Sequence, residues 1–195
     1  MRSFTVTAIV LILALILLMG GCNNYNAFVD KDENVENAWS KVQSAYQRRA
    51  DLIPNLVATV KGYAEHERGT LEAVTSARAR ATSITIDPAN ATKEQLQQFS
   101  EAQSELSKSL GRLMMISENY PDLKANANFR ELQAQLEGTE NRIKVERDRF
   151  NDSVTTFNKA VRRFPASFFA SIFGFSQKAQ FSAQEGAENA PKVKF

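Results

Sequence analysis

Glu137 and Glu140 form the carboxylate pair in this chain that acid–base chemistry could use, one holding a proton while the other takes one. Their three-residue spacing puts both on one helix face, where such pairs are ordinarily solvated, and nothing beside them in the sequence supplies a pocket. His66 is the only histidine and Cys22 the only cysteine. One imidazole, flanked by Glu65, Glu67 and Arg68, reads as a surface group and cannot build a His-rich metal site. One thiol allows neither an internal disulfide nor a cysteine-based metal cage. The glycines are scattered and form no phosphate-cradling loop. No catalytic residue, metal or cofactor is therefore expected, and no small-molecule substrate is evident. With 24 Lys+Arg against 22 Asp+Glu the net charge is +2, the signs are interleaved, and nothing in the charge pattern draws nucleic acid.

The chemistry that Cys22 does suggest is acylation. Residues 4–21 are almost wholly apolar, with Arg2 before them, and Leu18-Met19-Gly20-Gly21-Cys22 resembles a bacterial lipobox, in which small residues precede a cysteine that takes lipid and becomes the new N-terminus. Met19 departs from the leucine usual there. The other reading is an uncleaved transmembrane helix ending at an incidental thiol; the run lies at the short edge for a span. Either way residues 1–22 tether the rest of the chain to a membrane. Arg2 before the run, with Asp30, Asp32 and Glu33 after it, places the bulk of the chain on the periplasmic side of a bacterial envelope.

The elements that must position these groups are helices. Residues 23–29 read as a polar tether. Asp30 with Glu33 has capping-box spacing, and Val35, Trp39, Val42 and Tyr46 make an apolar stripe at three-four spacing. Pro54 lacks an N–H and crowds the preceding turn. Either Asp51 caps a new helix there, or one long helix kinks. Asp87-Pro88-Ala89-Asn90 is a loop, Thr92 with Gln95 a capping box, Pro121 a stop, Asn128 with Glu131 the start of the last long helix, and Pro165 its end. Long amphipathic helices joined by short loops predict an all-α, antiparallel up-and-down bundle over residues 30–164. An aromatic segment occupies 165–183, and a disordered tail 184–195.

Two regions hold more than the core requires. Arg48, Arg49, Asp51 and Asn55 gather near Pro54, and Glu137, Glu140, Asn141 and Arg147 crowd the apolar seam of the last helix, where Thr139 and Glu146 also fall at positions that want apolar residues. They read as a register-setting or partner-binding polar layer, or else as a solvated face with pairs such as Arg142 and Glu146. Phe164, Phe168, Phe169, Phe173 and Phe175 fall within twelve residues, with Phe181 beyond. Such a run either folds back over one end of the bundle or meets a membrane interface or a partner.

The motifs Gln47-Arg48-Arg49-Ala50-Asp51-Leu52-Ile53-Pro54-Asn55-Leu56-Val57, Lys61-Gly62-Tyr63-Ala64, Tyr120-Pro121-Asp122-Leu123-Lys124-Ala125-Asn126, Glu131 to Ile143 and Arg163-Phe164-Pro165 through Phe175, in that order, resemble the LemA family over residue 25 to the end. The resemblance implies a four-helix up-and-down bundle behind an N-terminal membrane segment, a real break between Asp51 and Gly69, and neither an established enzymatic activity nor an agreed cofactor. The function expected is that of a membrane-tethered, non-enzymatic envelope scaffold or adaptor with an unidentified protein partner. The alternative is a membrane-surface-active protein working through its Phe-rich segment.

Overall fold

The computed structural model describes residues 2–182, with the side chains of 2–19 described only at Leu11. The expected disordered tail at 184–195 and most side chains of the apolar run lie outside the described residues. The all-α class holds: among the described residues there are six α-helices, one 3-10 turn and no strand. They are α1 (Arg2–Lys61), the turn Glu65–Glu67, α2 (Arg68–Ser83), α3 (Lys93–Ser117), α4 (Pro121–Ala125), α5 (Ala127–Arg162) and α6 (Ala166–Phe173).

α1 corrects two expectations. Residues 23–29, expected as a polar tether ahead of the first helix, are themselves helical; Phe28 is fully buried and Tyr25 packs its ring edge-on against Phe173 at 5.2 Å. Asp30 accordingly lies mid-helix and caps nothing. The chain does break between Asp51 and Gly69, but at Gly62–Ala64; the helix continues through Pro54 to Lys61. The Ala50 carbonyl, which an N–H at position 54 would have taken, accepts instead from Arg78 Nε on α2 at 2.7 Å. A partner from another helix thus removes the main reason to break at proline.

The other boundaries obey local chemistry. Thr92 and Gln95 make the reciprocal capping box that opens α3, with bonds of 3.1 and 2.9 Å. α5 is capped two residues earlier than Asn128, because Asn126 Oδ1 accepts the Phe129 N–H at 3.0 Å. Pro121 does not stop α3, which ends at Ser117; it opens α4, where a missing N–H costs little. Gly174, at φ 78°, ends α6 in the left-handed region that favours glycine.

α1 and α5 run antiparallel: Trp39 meets Phe150, and Arg49 meets Glu140. α2 and α3 form the second antiparallel pair, linked by Gln103 Nε2 donating to the Ala81 carbonyl at 3.1 Å. The core divides in two along this length. One part is rich in aromatics (Phe28, Trp39, Tyr46, Phe99, Phe150, Phe157, Phe181). The other is mostly aliphatic (Ile53, Leu56, Val60, Val74, Leu106, Leu113, Leu136).

Candidate functional site

Arg49 lies between the two halves of the core. Its side chain is 2% exposed, and its guanidinium reaches partners on two other helices: Glu140 Oε2 on α5 at 2.6 Å, and Ser107 Oγ at 2.8 Å and Gln103 Oε1 at 2.6 Å on α3. Tyr46, one turn earlier on α1, lies under the same cation at 5.2 Å from ring centre. Burial holds the Tyr46 phenol above its ordinary range, and the Arg147 and Arg49 cations partly oppose that. Glu140 is about half exposed, so the pair joins a buried cation to a carboxylate that still touches water. Thr139 is buried and returns its hydroxyl to the Gln135 carbonyl. Glu146 is fully buried, one oxygen held by Arg142 at 2.8 Å and Arg149 at 2.9 Å on its own helix.

Arg49 and Glu140 are therefore paired, with Arg147 beside the same Tyr46, and the rest of the expected polar layer is not brought in. Arg48, Asp51 and Asn55 face outward into an open groove of about 890 Å³ between α1 and the ends of α2 and α3. Asp51 there accepts from Gln47 at 2.7 Å. Glu137 and Asn141 are exposed on α5, and Glu137 accepts from Gln133. Gln103 and Ser107 complete the layer. Gln103 stood in the apolar stripe of α3, and a polar residue at a core position was the sign that could have flagged it.

The aromatic segment divides by face. Phe169 packs on α1 where Gly21 leaves room: a Cβ there would sit 3.4 Å from the Phe169 ring and 3.8 Å from Phe173. Phe175 packs tilted on Phe28 at 5.2 Å. On the opposite side Phe164 is 90% exposed and Phe168 and Ile172 about 60%; Phe173, which faces α1, is partly exposed.

Residues 175–182, beyond α6, cross the molecule without helix or turn. Two asparagines of α5 hold this stretch. Asn158 accepts the Lys178 N–H and donates to its carbonyl, both at 2.9 Å; Asn151 does the same for Phe181, at 2.9 and 3.1 Å. Lys178 Nζ meets Asp32 of α1 at 2.6 Å, a close electrostatic contact without hydrogen-bond geometry, and lies 5.4 Å from the Phe157 ring centre. Phe181 is buried among Trp39, Phe99 and Phe150, stacked on Trp39 at 5.8 Å, with the Arg147 guanidinium 4.4 Å from its ring centre. Sequence reasoning missed the two asparagines, Asp32 and Lys178, since their meaning depends on a segment that returns from the far end of the chain.

Cys22 is exposed on α1, and His66 is exposed in the 3-10 turn. Among the described residues no group of three or more His, Cys, Asp or Glu is placed to hold a metal ion, and no helix is long and apolar enough to cross a membrane.

Comparison with known proteins places the chain. A model of the LemA family matches residues 38–195. The magnetosome protein MamQ of Magnetospirillum gryphiswaldense is 26% identical over 186 residues, covering 87% of this chain and 68% of that protein. Magnetosome protein MamQ 2 of Paramagnetospirillum magneticum is 24% identical over the same shares. Protein LemA of Metamycoplasma hominis is 26% identical over 156 residues, covering 80% of this chain and 68% of its own length. The family match spans the second half of α1, α2 to α6 and the clamped segment together, and the chain belongs to the LemA family.

Proposed function

We propose that this chain is a membrane-tethered, non-enzymatic scaffold or adaptor, a four-helix up-and-down bundle held at one end by its N-terminal segment and free to bind proteins along its length. The observation that carries this is the seating of α6 on Gly20 and Gly21. It brings the exposed aromatic helix to the end of the apolar run, so anchor and aromatic surface share one pole. The grooves and charged faces at the other levels are left to partners. The bulk of the chain then sits on the periplasmic side, and the magnetosome names of two relatives support attachment to a cellular structure. Release at Cys22 would remove both glycines and with them the Phe169 contact. Labelling with a palmitate analogue, wild type beside Cys22→Ala, separates the two anchors. In-cell crosslinking of the full chain should recover the same accompanying proteins repeatedly; recovery of the chain alone ends the adaptor reading.

A second reading rests on the outward faces of Phe164, Phe168 and Ile172. A helix that keeps such side chains outward beside a membrane anchor suits the lipid interface. A spin label at position 168 of the full chain in bilayers should be more accessible to oxygen than to a water-soluble quencher. The reverse order removes the membrane-surface role.

A further inference from the structure

The stretch from Phe175 to Ser182 is held the way a bound peptide is held. Asn151 and Asn158 are seven residues apart on α5, a rise of about 10.5 Å at 1.5 Å per residue. Lys178 and Phe181 are three residues apart, and three residues of extended chain cover about 10 Å. The two repeats match, so each carboxamide meets one residue's backbone and supplies the donor and acceptor that a neighbouring β-strand would supply. Those bonds read the backbone and accept any sequence. Selectivity comes from the side chains: Phe175 against Phe28, Lys178 against Asp32, and Phe181 in the Trp39–Phe99–Phe150 pocket beside Arg147. The groove continues along α5 past Ser182, lined by Glu140, Asn141, Lys144 and Arg147, with a volume of about 510 Å³.

We propose that this face of α1, α3 and α5 is a recognition site for an extended polypeptide with an aromatic residue, a cation three residues on and a second aromatic three further on, and that residues 175–182 are its resident competitor for a partner protein's segment of that form. The inference rests on the adaptor reading and names the kind of segment the adaptor takes. Asp32 selects the cation by charge. The buried aromatic pocket, next to the Arg49 layer, selects the second ring. An occupant on the same chain competes at an effective concentration in the millimolar range, so a partner binds tightly only once the segment is displaced.

The test uses the full chain in detergent and a fluorescent synthetic peptide with the sequence of residues 174–182. Phe181→Ala empties the pocket. The peptide should bind this variant saturably and bind wild type at least tenfold more weakly, because the resident segment competes. A peptide with glutamate in place of the lysine, or alanine in place of the second phenylalanine, should bind at least tenfold more weakly, because both changes leave the resident segment untouched. Should Phe181→Ala fail to fold, Lys178→Glu releases the segment by repulsion from Asp32. Trp39, the only tryptophan, then shifts its emission to the red, and Asp32→Lys in the same chain restores it. Equal binding of a scrambled peptide, or none to either variant, overturns the proposal. In-cell crosslinked partners whose recovery does not rise in Phe181→Ala overturn this groove while leaving the adaptor reading intact.

Discussion

Arg78 stands in for the hydrogen that Pro54 lacks. Its Nε donates at 2.7 Å to the carbonyl of Ala50, the acceptor four residues before the proline, and so ties α2 to α1 where α1 would otherwise lose a rung. Ala50 is buried with Arg78 in place, so losing Arg78 takes away the partner its carbonyl has there. Arg78→Met should cost about 1–3 kcal/mol, the usual penalty for a buried polar group left unpaired. In a Pro54→Ala background the new N–H takes the same carbonyl, and the cost of Arg78→Met should fall by about 1 kcal/mol or more. Urea unfolding of the four members of the cycle measures this, and additive effects would show that the two residues are not linked.

The Arg49 layer should respond asymmetrically. Removing Glu140 leaves a buried cation short of its counter-ion, whereas removing Arg49 leaves a carboxylate that water already reaches. Glu140→Ala should therefore destabilise by about 2–3 kcal/mol. Arg49→Met with Gln103→Leu fills the same space with apolar atoms but takes the donor from the Ala81 carbonyl, and should cost about 1–2 kcal/mol, less than Glu140→Ala. The reverse ranking in denaturant melts would mean that the cation's other bonds, not the ion pair, hold the layer. If the layer sets register, the double variant should also lose sharp side-chain signals in NMR while staying folded.

Gly20 and Gly21 should tolerate side chains unequally. A Cβ at Gly20 meets nothing closer than 3.9 Å, so Gly20→Ala should stabilise α1 by up to about 1 kcal/mol through helix propensity. At Gly21 the Phe169 ring leaves no room for branches, and Gly21→Val should lift α6 away. Hydrogen exchange in α6 should then quicken at least tenfold while α3 is unchanged. Protection in α6 equal to wild type would show that the glycine is no seat.

Tyr46 should make stability fall at alkaline pH. Its folded pKa is raised by burial, so above the ordinary value near 10 the unfolded chain loses a proton that the folded chain keeps. That contribution is fully present below pH 10 and is lost as the pH rises through the raised folded value. Tyr46→Phe should flatten the decline above pH 10 in melts followed by circular dichroism. An unchanged slope would assign it to other groups.

The sequence by itself determined the helical class, the loop at Asp87–Asn90, the capping box of Thr92 with Gln95 and most of the core stripes, because these depend on periodicity and on contacts within a few residues. It also carried the motifs that mark the family. It left open whether α1 survives Pro54, because the answer lies with Arg78, twenty-four residues later on another helix. It singled out Arg49 and Glu140 but could not pair them, since charged residues on amphipathic helices look alike until the partner helix is laid down. The Phe-rich segment showed its density but not its faces; Phe169 and Phe175 turn inward and Phe164 and Phe168 outward only once α6 meets Gly21. Asn151 and Asn158 carried no signal at all. An asparagine on a helix becomes a backbone clamp only when tertiary structure returns an extended chain at a matching pitch beside it, and that match is a property of the assembled fold.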